Sequence, residues 1–445
     1  MSYGNLKSHF IRNEKLYLIA IMLFFFLFRL AYIHQFGNFD TSTFKDATCY
    51  NNYAKAVLHN PNWLTSKDFD GSVSEPVYPI FVAIIYSIFG EDNYFAVYVV
   101  QALISTILLL LLYQLTMIVV NRRLVALMSM IWAGFYLFYL RWIGEVLREV
   151  VIYFLLVLLF YQLALFFQRE KLSIKHLILP SITYTLLNHT DGRYLVYAPF
   201  LIILFLINIK PFRKAVMQYI LFGIMVIFLT IPWVVRNYIA YKEVIIVSEL
   251  NINLSKSELS TREYLLNTAP IDSLYTTFDY KHNPNYPTEI ERTKVLEGYN
   301  PNHRSNAELQ AIKEGKRASK SWFGRKWYFF RLMWFPVILS DSYFPYPVGQ
   351  FYQHPSVQHN ILTATEYGLL LPFALLAMIN GFIKRKYKYS ILCLPIFIQM
   401  FIHFFAFGIV RYRVPIDGFL IILGCTGIVI CLDLLYKQVR FRLPT

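Results

Sequence analysis

Apolar stretches long enough to cross a bilayer recur along most of this chain, separated by short polar connectors. A membrane-spanning helix needs roughly 20 apolar residues, with a working range of about 17–25. On that measure the pattern predicts spans near 16–33, 95–120, 124–140, 149–167, 174–189, 194–209, 215–235, 362–383, 390–409 and 416–436. Two other apolar runs, "VYPIFVAIIYSIF" (77–89) and "WYFFRLMWFPVIL" (327–339), are too short to span comfortably. Trp, Tyr and Phe, abundant in the second, prefer the membrane–water boundary. Both runs are predicted as interfacial or re-entrant helices. The expected fold class is an all-α polytopic membrane protein, with about ten transmembrane helices and interfacial helices in two large outer loops.

Charge then orients the pattern. The connectors "NRR" (121–123), "QREKLSIK" (168–175), "KPFRK" (210–214) and "KRKYKYS" (384–390) are short and basic. Basic short loops stay on the cytoplasmic side. With the basic N-terminus and the tail "KQVRFRLPT", they fall on one side if the chain crosses at every predicted span. The loops 34–94 and 235–361 then lie outside. The predicted organisation is an N-terminal transmembrane module over 1–255, a lid-like outer loop over 235–361, and C-terminal helices over 362–445.

Composition narrows the class further. The chain of 445 residues is 57% hydrophobic, 18% aromatic and 16% charged. Soluble domains carry about 25% charged residues. The net charge of +15 could suit nucleic acid, but the basic residues sit in short runs between apolar segments. That is the distribution of a multispanning protein in membrane lipid, and no nucleic-acid partner is expected. Cys393, Cys425 and Cys431 lie in apolar runs, leaving Cys49 alone outside, so no disulfide framework is indicated.

The candidate chemistry gathers at the outer ends of the spans, where charged side chains at membrane level usually have a function. In "FKDATCYNNYAKAVLHN" (44–60), Asp46, Tyr50 and Tyr53 share one helical face. Asp46 could be a reactive carboxylate, or the N3 acid of a capping box with Thr43. In "RWIGEVLREVVIYF" (141–154), Glu145 and Glu149 stand four apart. Paired carboxylates can hold a divalent cation or a proton, and neutralisation by Arg141 and Arg148 is the plain alternative. "NHTDGRYL" (188–195) offers His189, Asp191 and Arg193 in a polar turn, with Asp-Gly as ordinary turn chemistry. Mid-span His403 reads as a satisfied core histidine. Arg236 in "IPWVVRNY", with Arg411 and Arg413 in "GIVRYRVPIDG", puts three guanidinium groups at one level. Such groups either anchor in an aromatic belt or fork onto phosphate oxygens.

These pieces resemble the multispanning glycosyltransferases of the GT-C superfamily, above all the bacterial protein-mannosyltransferase-like group that uses polyprenyl-phosphate sugars. The resemblance covers about 40–255 and 390–436. It is carried by "DATCYNNYA", by "PVYPIFVAIIYSIFG" with "VVQALIS", by "LREVVIYFLL", by "IPWVVRNY" and by "RYRVPI". The chain departs from many relatives in lacking a second acid beside Asp46, where Lys45 and Ala47 stand, which leaves Asp40 as the nearest partner. It carries "HTDGR" where an Arg-Pro is common, and the loop 256–340 has no counterpart.

The resemblance implies an inverting transfer of a sugar from a polyprenyl-phosphate donor to an acceptor hydroxyl on a glycan, lipid or protein. Asp46 would be the base and Glu149 would orient the acceptor. Tyr50, Glu75, Tyr78, Arg236, Arg411 and Arg413 are expected to bind substrate, and so are His189, Asp191 and Arg193 on their own polar pattern, where His189 and Asp191 could instead be metal ligands. A divalent cation, Mg or Mn, is a possible cofactor, with Asp46, Asp40 and Glu149 as candidate ligands. The expected location is a bacterial inner membrane with the site facing outward. Two rival classes remain open. One is a polymerase or ligase of lipid-linked polysaccharide, which needs no acid in the first outer loop. The other is a lipid-linked sugar flippase, which would tend to show inverted repeats and mid-span charges.

Overall fold

A computed structural model describes residues 13–39, 45–65, 75–170, 172–242, 244–247, 357–405 and 410–442, with Phe323, Lys326, Trp327, Phe330, Met333 and Trp334. The described residues form thirteen α-helices and no strand: α1 (Glu14–Phe36), α2 (Lys45–His59), α3 (Val77–Phe89), α4 (Tyr94–Val119), α5 (Arg123–Phe135), α6 (Leu137–Arg141), α7 (Glu149–Phe167), α8 (Ile178–Asn188), α9 (Tyr197–Asn208), α10 (Phe212–Tyr241), α11 (Val357–Ile383), α12 (Ser390–Phe405) and α13 (Val410–Arg442). Seven of these segments are long and apolar enough to cross a membrane. They are α1, α4, α7, α10, the Thr365–Ile383 part of α11, α12 with its preceding 3₁₀ turn, and most of α13.

Three predicted spans take another form. The stretch 124–140 is two helices, because Tyr136 turns extended (ψ 110°) and separates α5 from α6. That break frees the Leu137 N–H, which donates to Glu366 Oε2 at 3.0 Å. In an apolar surrounding, a freed backbone donor must find a partner. The stretch 174–189 is a 3₁₀ turn followed by the eleven-residue α8, and 194–209 is a 3₁₀ turn running into α9. The run 77–89 is the thirteen-residue α3, packed on α2. Most of 327–339 and of the loop 235–361 lies outside the described residues, as do Asp40 and Thr43.

Helix ends follow local chemistry. Asn93 caps α4 by accepting from the Ala96 N–H at 3.1 Å. Gly90 closes α3 with φ +98°, a conformation that favours glycine. At the middle of the bundle, α7 packs on α4 and α13, and their side chains are largely buried. Two glycines of α13 bring α11 close. A Cβ on Gly427 would stand 2.0 Å from the Phe373 carbonyl oxygen, and one on Gly424 would meet Leu370. Small residues allow such close helix approach in membranes. Helices α1, α10 and α11 instead present apolar side chains outward, among them Phe24, Phe228 and Phe382, as suits contact with lipid tails.

The basic connectors meet at one end of the bundle. Arg122 bonds Asp433 of α13, and Arg123 pairs with Glu14 at the start of α1 (3.4 Å). Tyr113 near the end of α4 also donates to Glu14. The candidate reactive residues lie at the other end, where α7 and α13 begin and Asp46 of α2 reaches Arg411.

Candidate functional site

Asp46, in the first turn of α2, meets Glu149, in the first turn of α7, on one side chain of α13. That side chain is Arg411. Its Nη1 donates to Asp46 Oδ2 at 3.0 Å, and its Nε donates to Glu149 Oε1. Trp142 lies 5.5 Å from the same guanidinium group. The two acids differ in access. The Asp46 side chain is 46% exposed, whereas that of Glu149 is 5% exposed. Glu149 Oε2 is buried and makes no hydrogen bond among the described residues. The capping partner Thr43 lies outside the described residues.

A second cluster adjoins the first through Arg148, the neighbour of Glu149. Arg148 donates to the Thr190 carbonyl at 3.2 Å and stands 3.6 Å from Asp191 Oδ2. Arg193 Nε bonds both Asp191 oxygens, at 2.9 and 3.0 Å, and its Nη2 also bonds Oδ2. Burial alone would raise the Asp191 carboxyl, but Arg193 and Arg148 outweigh it and hold it well below the usual carboxylate range. Arg193 stacks on Tyr412 at 3.8 Å, and His403 stacks on Tyr412 at 5.3 Å. His403 is buried and hydrogen-bonded to Gln399, the satisfied core histidine that its position suggests. Arg193 Nη1 is buried and makes no hydrogen bond among the described residues.

The remaining candidates surround these two clusters. Tyr50 is buried on α2, edge-on to Tyr78 at 5.0 Å and 5.9 Å from the Arg148 guanidinium. Tyr78 is fully buried and donates to Gln101 Oε1 at 3.0 Å. Gln101 in turn donates to the carbonyls of Ile143 and Glu145, tying α4 to the turn before α7. Glu75, also buried, stands 3.8 Å from His189 Nδ1, and the His189 carbonyl accepts from Val77. His189 is 6.2 Å from Trp233, which leads to Arg236. Arg236 lies over Trp233 and Tyr241 and donates to Trp63 O at 3.2 Å.

Arg413 behaves differently from Arg411. It is fully buried, donates to Asp417 Oδ1 at 3.1 Å and lies 3.6 Å from the centre of the Tyr367 ring. Tyr136 donates to Asp417 Oδ2 at 2.8 Å. The three guanidinium groups expected at one level therefore do not form one clamp: Arg413 joins α13 to the α5–α6 break and α11. Asp417, Tyr412 and Trp142 were not singled out from the sequence. For Asp417 a signal was there, because Arg413 and Asp417 are i and i+4 on one helix. Arg29 is another surprise, a fully buried cation within α1 that donates to Ser105 Oγ at 3.0 Å.

Glu145 flanks the site in the turn before α7. Asn38 donates to its Oε2 at 3.1 Å, and Arg141 is 3.5 Å from Oε1. Burial pushes this carboxyl up to about 7, against the opposing effects of Arg141, the Asn38 bond and Arg411, while Glu149 raises it further. The sign follows by linkage. Between about pH 4.5 and 7 the folded chain keeps a proton that the unfolded chain has lost, so stability falls as pH rises through that window. The melting temperature in detergent is expected to drop from about pH 6 to about pH 8 (about one decade to either side of the carboxyl's titration) more in the parent than in Glu145→Gln. Equal pH slopes in the two proteins would remove Glu145 as the titrating group.

No family model matches the chain, and no curated protein is similar to it in sequence. Solved structures do match it in shape. The archaeal oligosaccharyltransferase AglB from Archaeoglobus fulgidus, in complex with an inhibitory peptide and a dolichol-phosphate, superposes with a TM-score of 0.54 at 11% identity. That match covers 97% of this chain and 52% of the other. The Archaeoglobus fulgidus oligosaccharyltransferase tethered to an acceptor peptide gives 0.54 at 11% identity over 96% of this chain and 51% of that one. Its apo form gives 0.53 at 11% identity over 95% and 52%. The fold is GT-C-like. The chain spans about half the length of these neighbours, and the likeness is one of fold.

Proposed function

We propose that this protein is a membrane glycosyltransferase that moves a sugar from a polyprenyl-phosphate-linked donor to an acceptor hydroxyl, at the end of the bundle opposite the basic connectors. The observation that carries this reading is the meeting of Asp46, Glu149 and Arg411, drawn from three distant helices, beside the Arg148–Asp191–Arg193 cluster. A lipid-linked donor is supported by the fold neighbour solved with a dolichol-phosphate, and an acceptor site by the neighbour solved with a tethered acceptor peptide. We propose that the site faces away from the cytoplasm, because the basic connectors gather at the other end, and that the membrane is a bacterial inner membrane, as the sequence resemblance implies.

In the transfer, the acceptor oxygen bonds to the anomeric carbon as the bond from that carbon to the phosphate oxygen breaks. The lipid phosphate leaves with the electron pair, the anomeric centre inverts, and the acceptor proton passes to a carboxylate. Asp46 suits the last step, because it is the accessible acid of the pair. Glu149, buried on the same guanidinium, holds Arg411 in register and orients the acceptor side. Charge develops on the departing phosphate, and preorganised cations facing it lower the barrier. Arg148 and Arg193 together exceed Asp191 by one positive charge and lie next to Glu149, so this cluster suits the phosphate. Arg236 and His189 flank it from the α10 side.

The test is direct transfer. Full-length protein in nanodiscs, given radiolabelled polyprenyl-phosphate hexose and a membrane extract, is expected to move label to an acceptor and release polyprenyl phosphate in equal amount. Joining of preassembled glycans without use of the single-sugar donor would instead mark a polymerase or ligase. Label that crosses the bilayer with no new glycosidic bond would mark a flippase.

A further inference from the structure

We infer that Arg411 occupies the place a divalent cation would take between Asp46 and Glu149, so that the site carries its own counter-charge in a side chain. The sequence offers these two acids, with Asp40, as candidate ligands for Mg or Mn; Asp40 lies outside the described residues. The geometry spends them otherwise. One oxygen of each carboxylate is bonded to a separate nitrogen of one guanidinium group. That group is held in place: its side chain is 10% exposed, and Trp142 stands against it. A hard divalent cation takes about six oxygen ligands in a compact shell. Among the described residues no group of three or more His, Cys, Asp and Glu side chains could hold a metal ion. A cation entering between the two acids would meet Arg411 at ligand distance and would have to expel it.

Charge points the same way. Arg411 already supplies a positive charge between the two acids, and Arg148 and Arg193 stand beside them, so a divalent ion would enter a region already supplied with cations. The arrangement also explains the choice of arginine: a planar fork reaches two carboxylates at once, which a lysine ammonium does as a point charge only. Asp46 and Glu149 therefore do not fit a metal site as they stand, and they would fit one better without Arg411.

The experiment removes the guanidinium group and asks whether a metal takes its place. Mn²⁺ is titrated into full-length protein in detergent, with free Mn²⁺ followed by its electron paramagnetic resonance signal. Parent protein, Arg411→Ala and the double variant Arg411→Ala/Asp46→Asn are compared. The parent is expected to take up no Mn²⁺ at this site. Arg411→Ala is expected to bind with affinity raised about 10-fold or more, and the double variant to lose that gain. Arg411→Gln serves if the alanine variant does not fold, and the parent measurement stands without either. The inference is overturned if the parent binds Mn²⁺ and Asp46→Asn abolishes the binding, or if removing Arg411 confers none. A second arm, transfer by the parent after exhaustive chelation, rests on the transferase reading. Loss of transfer restored by Mn²⁺ would overturn the inference and keep that reading, whereas absence of transfer under every condition would fail the reading and leave the binding result intact.

Discussion

On the proposed transferase reading, Asp46→Asn is expected to lower sugar transfer by on the order of 10²-fold or more, while the melting temperature stays near that of the parent. The two parts of this result have separate causes. Asparagine keeps the shape of the side chain and still presents an oxygen to Arg411 Nη1, so the contact across α2 and α13 survives in weakened form. The charge lost is that of a half-exposed acid, and Arg411 keeps Glu149 as its buried partner. An amide, however, cannot take the acceptor's proton at neutral pH. Donor turnover, measured as polyprenyl phosphate released, tests the first part, and thermal unfolding in the same detergent tests the second. Near-normal turnover in Asp46→Asn would move the base elsewhere and leave Asp46 as an anchor for Arg411. Glu149→Gln is the informative companion, because its carboxylate is buried and its loss should disturb folding and turnover together.

Asp417→Asn is expected to cost roughly 3–5 kcal/mol of stability, the typical penalty for removing one partner of a buried ion pair. Arg413 would keep its charge in the core while losing the Asp417 carboxylate that faces it, and Tyr136 would lose the charge on its acceptor. The cost falls on three elements at once: α13, the break between α5 and α6, and α11 through Tyr367. Thermal unfolding checks it, and the double variant Arg413→Met/Asp417→Leu should recover much of the loss, since replacing both ions by apolar groups of similar volume is often neutral or better. A melting curve for Asp417→Asn that matches the parent would show that the pair carries little weight. Donor affinity is a useful second readout, because a fully buried Arg413 predicts that its effect on transfer comes through the position of Arg411.

Arg411 and Arg413 show how far a sequence pattern reaches. Both stand at the mouth of a span, and both looked suited to phosphate. On a helix, residues two apart point roughly 200° from one another, so they cannot serve one ligand from the same face. That much was readable. Which of them faces the acids was not, since Asp46 lies 365 residues from Arg411 and Glu149 lies 262 residues away. The break at Tyr136 was hidden for a similar reason. No proline stands there, and the acceptor for the freed Leu137 N–H comes from Glu366, 229 residues along the chain.

What the sequence determined by itself is the all-helical membrane bundle, the approximate positions of seven of its ten expected spans, and the gathering of the basic connectors at one end. Those follow from quantities summed along the chain: apolar length against bilayer thickness, and basic residues per connector. It also placed Asp46, Glu149, Asp191 and the arginines at helix ends, where local patterning can be read. The tertiary structure decided which charges meet. Arg411 joins two acids, Arg148 and Arg193 share Asp191, and Arg413 is withdrawn into the core with Asp417. The reason is physical: a buried charge is stable only beside an opposite charge in close geometry, and that partner is supplied by packing between helices far apart in the chain.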